Sequence, residues 1–467
     1  MSAQVSKDRF AGVTERNWCQ AVHGGTGITV LAILTSKNPD TPSLRTALHS
    51  LQNSHSVLRS RLHYNPKSNT YSFVTSISPF IQIKTHNLSA TQSILGINLR
   101  NQTHENISPF HLILEHELNE NAWVSRSITN DQDVLFASSY ALPEGKWVLV
   151  LRLHVAACDR TTAVSLLREL LELMGEEEGG GGTVGSKGEV TPTIEDLIPS
   201  GKAKKTLWAR GVDMLGYSVN SLRLTNLKFN DTKSPRSTQV VRLMMDRDDT
   251  RRILTGCKLR ETKLCGALTA AGVIALQNLK CRSDHHQRKK YGVVTLTDCR
   301  SILEPSLSNH HFGFYHSAIL NAHTVKGGEN FWDLAKKMYA AFVQYKSGGR
   351  HFSDMADLNF LMLKAMENPA LTSSSSLRSC FMTVFEETVI DNSDNKRREV
   401  GLEDYMGCAS VHGIGPSIGV FDTIRDGRLD CVCVYPAPLH SREQMQELVD
   451  GMKSVLVAAA TEDETVS

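Results

Sequence analysis

Apolar residues recur along the chain with two periods, and each period predicts an element where it holds. Gly27–Leu34, GITVLAIL, and Trp147–His154, WVLVLRLH, are apolar on both faces, which predicts strands buried between layers. Between them Leu44, Ala47, Leu48, Leu51 and Leu58 follow the i, i+3, i+4 spacing of one helix face. Asp40-Thr41-Pro42 stands just ahead, with capping chemistry and a proline suited to a first turn. The strand at Trp147 runs directly into a second stripe, Ala163, Leu166, Leu167, Leu170, Leu171 and Met174, while Arg168, Glu169 and Glu172 face elsewhere.

The alternation continues through the second half. Leu264, Ala267, Leu268, Ala271, Ile274 and Ala275 predict a packed helix, and Gly292–Leu296 a buried strand after it. Ser417–Thr423 and Leu429–Tyr435 read as paired strands joined through Arg425-Asp426-Gly427-Arg428, because a tight I′ turn needs positive φ and Asp-Gly supplies it. A last helix is predicted from Ser441, with Gln444 completing a capping box and Met445, Leu448, Val449, Met452, Val455 and Leu456 on one face. Strands and helices interleave in both halves, which predicts layered α/β domains.

The pattern breaks once, at Gly175–Val190, GEEEGGGGTVGSKGEV, which has the composition of a flexible linker. With 467 residues the chain exceeds one ordinary core. The predicted division is an N-terminal subdomain over 1–185, a crossover over 186–215 and a C-terminal subdomain over 216–467. The lysines of Lys202–Lys205 are expected to lie solvated in that crossover.

Charge and composition narrow the function class. A net charge of +2 gives no electrostatic case for nucleic acid or anionic lipid as the main partner. The first residues, MSAQVSKDRFAGVTERNW, hold no apolar leader core, and no stretch approaches the roughly 20 apolar residues that span a bilayer. A cytoplasmic protein is expected, with its ten scattered cysteines reduced. Gly24-Gly25-Thr26-Gly27 lacks the Lys-Ser/Thr of a phosphate loop and reads as a turn before a strand. His104-Glu105 and His116-Glu117 lack HExxH spacing, so no metal site is expected.

Candidate chemistry gathers at the junction His154-Val155-Ala156-Ala157-Cys158-Asp159-Arg160, where a buried strand passes into a helix and ligand sites of α/β proteins tend to lie. HVAACDR resembles the HHxxxDG motif of condensation domains and alcohol acetyltransferases, also written HxxxD in the plant-type BAHD acyltransferases. Asn53-Ser54-His55-Ser56-Val57-Leu58-Arg59 is similar to the "rHpiLR" helix end of that superfamily. Thr297-Asp298-Cys299-Arg300, with Gly313 downstream, is similar to its "D-x-R…G" segment. The closing strand pair, Tyr435-Pro436 and the final helix match as well, while the DFGWG segment of BAHD enzymes is absent.

The resemblance implies two chloramphenicol-acetyltransferase-like α/β subdomains with a tunnel between them. It implies acyl transfer from acyl-CoA, a co-substrate, to a hydroxyl or amine of a small metabolite, with no tightly bound cofactor; a monomer with no nucleic-acid or membrane partner is expected. It also implies that Asp159 is structural and holds Arg300. The chain departs from the motif at one place: Val155 occupies the position of the second, catalytic histidine, and Arg160 replaces the glycine. A valine cannot take the proton from an attacking hydroxyl, whereas histidine titrates near neutrality and can. Three readings stay open: His154 acts as base from one position earlier, His412 supplies the base, or the protein binds a metabolite and catalyses another reaction or none.

Overall fold

A computed structural model describes residues 8–100, 107–124, 131–175, 192–279, 288–391 and 400–462. The glycine-rich stretch Gly175–Val190 lies, except for Gly175, outside the described residues. The chain folds into two compact units. Neither is a single run of sequence: the first, Met1–Leu197, is completed by Leu303–Tyr315 and Ser393–Ser410, and the second comprises Ile198–Ile302, His316–Asn392 and Val411–Ser467.

The first unit is built on a five-stranded sheet in the order Leu402–Val411, Thr26–Thr35, Trp147–His154, Leu135–Ala141, Ile83–His86. The two strands apolar on both faces are its centre and pair antiparallel, with Ile28 opposite His154. Helix Thr41–Ser54 starts where Asp40 Oδ2 accepts the Ser43 N–H at 2.9 Å, so the capping reading holds. It ends earlier than its stripe predicts. Arg59 donates to the carbonyls of Gln52 and Asn53, closing the helix C-terminus, and Leu58 packs from the separate 3₁₀ turn Ser56–Arg59. A smaller four-stranded sheet carries the hairpin Ser60–Asn65 and Thr70–Thr75.

The second unit holds a seven-stranded sheet running His316–Val325, Lys289–Asp298, Arg378–Phe385, Gly415–Arg425, Arg428–Ala437, Ser237–Met244, with Val389–Asp391 paired off the path. Helices Leu264–Asn278 and Arg442–Glu462 pack with it around one core of Ala267, Leu268, Ile418, Cys433, Met445 and Leu448. The expected hairpin turn is present: Asp426 and Gly427 have φ of 52° and 72°, and Arg425 stands opposite Arg428. Ser441 Oγ accepts the Gln444 N–H at 3.2 Å, but the Gln444 side chain donates to Lys228 O, so only half of the capping box forms.

Lys205 differs from expectation. Lys202 and Lys204 are exposed, yet Lys205 is 9% exposed and meets Asp213, Asp354 and Asp357 at 2.5, 2.8 and 2.9 Å. The last two carboxylates are buried and require a nearby cation, which no local composition could reveal.

Candidate functional site

The motif loop belongs to the first unit and is shaped by what comes before and after it. Strand Trp147–His154 stays in unbroken register to its last residue, the 3₁₀ turn Val155–Ala157 follows, and helix Arg160–Gly175 begins behind Asp159. Alternation therefore puts His154 on the face that carries Arg152, which meets Glu117 of helix Pro109–Asn119 at 2.5 Å. The His154 ring lies edge-on against Trp123, with centroids 5.1 Å apart, and its Nδ1 accepts the Ala156 N–H at 3.1 Å. It is 1% exposed, and burial, with the nearby His23, pushes its pKa down to about 3.

Val155 fills the turn that follows and is 7% exposed. Its side chain packs so closely on Gly27 that a Cβ there would come within 2.6 Å of Val155 Cγ1, and Gly27 also has a φ of +95°. Both facts demand glycine at that position. The turn expected from sequence is confined to Gly24 and Gly25, whose N–H groups donate to Ala21 O and Val22 O and close helix Val13–His23, while Thr26 and Gly27 already belong to the strand.

Asp159 is 3% exposed and holds the loop from two sides. Its Oδ1 accepts the Thr162 N–H at 2.8 Å, an N-cap, and its Oδ2 accepts the Tyr315 N–H at 2.8 Å. Its own N–H donates to Gly313 O at 3.1 Å, and the Thr162 hydroxyl both donates to Gly313 O and accepts the Gly313 N–H, at 3.0 and 3.1 Å. Gly313, singled out in sequence only as part of a spaced pattern, is thus the clasp of the motif loop. Its φ of +151°, and a Cβ position 3.0 Å from the Tyr315 ring, leave no room for a side chain.

A second group near this clasp was not anticipated. Glu169 of the helix accepts from His55 Nε2 at 2.6 Å and from His310 Nδ1 at 3.0 Å, and the His55 ring stacks on Phe312 at 3.6 Å. Burial alone would raise the Glu169 carboxyl, but the bonds from His55 and His310 hold it below its usual value. The sequence signals were Glu169 standing off the apolar stripe and His55 within the Asn53–Arg59 segment, and neither could name its partner.

The other candidate residues lie in the second unit. Arg300 is 2% exposed at the end of strand Lys289–Asp298 and, within its own unit, its Nη1 and backbone N–H both donate to Asp298 Oδ1, at 3.1 and 3.0 Å. His412 is half-buried just past strand Leu402–Val411, with Nδ1 2.9 Å from Thr238 Oγ1, which also accepts the Val411 N–H. Burial and the nearby Arg378 lower its pKa to about 4. The Arg378 guanidinium, itself buried and brought down to about 9, donates to the carbonyls of Ser376, Val411, Gly413 and Pro416, which fixes the loop that presents His412.

Among the described residues no group of three or more His, Cys, Asp or Glu side chains could hold a metal ion, and no helix is long and apolar enough to cross a membrane. His104 and Glu105 lie outside the described residues. Glu117 is occupied by Tyr140 and Arg152. Among the described residues nine cysteines are buried, and none of them forms a disulfide.

No family model matches the sequence, and no curated protein does. Solved structures do match over nearly the whole chain. A polyketide synthase associated protein 5 from Mycobacterium tuberculosis superposes with TM-score 0.65 at 17% identity, covering 97% of this chain and 98% of its own. The trichothecene 15-O-acetyltransferase TRI3 from Fusarium sporotrichioides gives 0.69 at 9% identity, covering 97% and 95%. The epimerization domain from the third module of tyrocidine synthetase B gives 0.64 at 12%, covering 99% and 98%. The fold of this chain is therefore the mixed α/β fold of condensation-type domains and of an O-acetyltransferase, as the motif order led us to expect.

Proposed function

We propose that this chain transfers an acyl group from a CoA thioester to a hydroxyl or amine of a small metabolite, with His412 and not His154 as the base. The observation that supports the reading most is the clasp of Asp159, Thr162, Gly313 and Tyr315, which keeps the motif's strand-to-helix junction intact. His154 is enclosed by its own unit and serves the fold. His412 has the features of an oriented base: Nδ1 is engaged by Thr238, so Nε2 is the nitrogen left for a ligand, and the ring is neutral at neutral pH.

In the reaction the acceptor oxygen or nitrogen attacks the thioester carbon as its proton passes to the imidazole. The tetrahedral intermediate then expels the CoA thiolate, which takes the proton back. The balance requires no redox partner. An imidazole with a pKa near 4 is a weak base, so slow turnover is expected.

A second reading is favoured by Val155: a scaffold that binds a metabolite and has given up proton transfer at the motif. One experiment separates the two. The pure protein is incubated with acetyl-CoA and a panel of alcohols and amines while free thiol is followed. Acceptor-dependent thiol release that falls about 10²–10⁴-fold in His412→Ala, with an unchanged melting temperature, supports the transferase. No release by the wild type, together with release by Val155→His, establishes the scaffold instead.

A further inference from the structure

We infer that helix Leu207–Arg223 of the second unit docks on an anionic lipid surface. A surface helix ordinarily turns its apolar stripe inward and its charges outward. This one does the reverse. On its inner side Asp213 meets Lys205 at 2.5 Å and Arg350 at 3.7 Å, Tyr217 donates to Asp354, and Arg210 approaches Asp357 at 3.8 Å. Lys205, just ahead of the helix, also binds Asp354 and Asp357, which are each 3% exposed. On its outer side stand Trp208, Val212 and Leu215, 82%, 52% and 66% exposed, at the i, i+4, i+7 spacing of a single stripe.

The two faces are linked energetically. Rolling the helix to bury its stripe would pull Asp213 and Tyr217 out of the cluster and leave buried carboxylates short of partners, a heavy cost in a low dielectric. The ion pairs therefore hold the apolar stripe outward, and a contiguous outward stripe of large apolar side chains is the mark of a docking site.

Charge selects the occupant. Between residues 198 and 217 the chain carries Lys202, Lys204, Lys205 and Arg210 against one acid, Asp213, although the whole chain is only +2. Lys205 and Arg210 are matched by Asp213, Asp354 and Asp357 on the inner side, so the local excess belongs to the exposed Lys202 and Lys204. A tryptophan beside two aliphatic residues, with lysines at the edge, is the chemistry of an interfacial helix. The apolar side chains enter the boundary between headgroups and acyl chains, the indole sits at headgroup level, and the lysines meet anionic headgroups.

The test is co-sedimentation of the full chain with vesicles of phosphatidylcholine alone and of phosphatidylcholine mixed with phosphatidylserine, alongside light scattering of the protein without vesicles. The wild type should bind the mixed vesicles and hardly bind the neutral ones. Trp208→Glu and Leu215→Glu, both at exposed positions and checked for an unchanged melting temperature, should abolish binding. Lys202→Gln with Lys204→Gln should weaken it roughly thirtyfold. Equal binding to both kinds of vesicle, no binding to either, or wild-type binding by the two glutamate variants overturns the proposal. So does a wild-type dimer that Leu215→Glu converts to a monomer, which would assign the stripe to a second copy of this chain.

Discussion

His154 and Val155 are neighbours in sequence with opposite surroundings, and the pleat is the reason. Strand register carries the His154 ring onto Trp123, while the turn begins one residue later and presses Val155 onto Gly27. A ring that is 1% exposed and packed on an aromatic contributes chiefly to stability. His154→Ala is expected to cost roughly 2–4 kcal/mol in a urea titration, through the cavity and the lost acceptor for Ala156 N–H. Activity per folded molecule should change by less than about tenfold, well short of what removal of a general base does. A variant that kept its full stability and lost turnover would return the base role to His154.

At the scale of elements, helix Leu207–Arg223 is held by its ion pairs more than by its intrinsic propensity. Gly211 and Gly216 sit in its interior, both with ordinary negative φ, and a Cβ at either would meet nothing within 4 Å. Glycine in a helix interior costs about 0.5–1 kcal/mol relative to alanine, because the unfolded chain has more freedom to lose. Gly211→Ala and Gly216→Ala are each expected to stabilise the protein by about that amount, read from the shift of the urea midpoint. A loss of stability in either variant would show that a neighbour occupies the space. The strand Trp147–His154 is the opposite kind of element, apolar on both faces and specified by its own sequence and by the layers around it.

At the scale of the whole molecule, several buried or half-buried histidines set how the fold responds to acid. His154 is held down to about 3 and His323, His412 and His440 to about 4, in each case first by burial. In the unfolded chain each returns to about 6.5. Below that pH the unfolded state binds more protons than the folded state, so stability is full above about pH 6.5 and falls as pH drops toward the folded values. Each such histidine contributes at most about 1.4 kcal/mol per pH unit in that window. Urea midpoints taken at pH 7.5 and 5 should therefore fall steeply, and His440→Phe, which keeps a ring beside Phe229, should flatten the slope by about one proton. An unchanged slope in that variant would mean that His440 is already charged in the fold.

What the sequence determined by itself was whatever neighbours along the chain decide. Periodicity marked the two central strands, the helix after the motif and the final helix; Asp40 marked a cap; Asp426-Gly427 marked a hairpin; and the order of HVAACDR, Asp298-Cys299-Arg300 and Gly313 pointed to the fold that the solved structures share. Tertiary structure decided the rest. It placed Leu402–Val411 beside Thr26–Thr35, brought Gly313 to Asp159 and Thr162, joined Glu169 to His55 and His310, buried Lys205 among carboxylates and closed the face of the sheet on which His154 lies. Each of these is a pairing between distant segments. Alternation says that a strand has two faces, but which face is sealed depends on what packs there, and Trp123 and Gly313 carry no local sign of the partners that they meet.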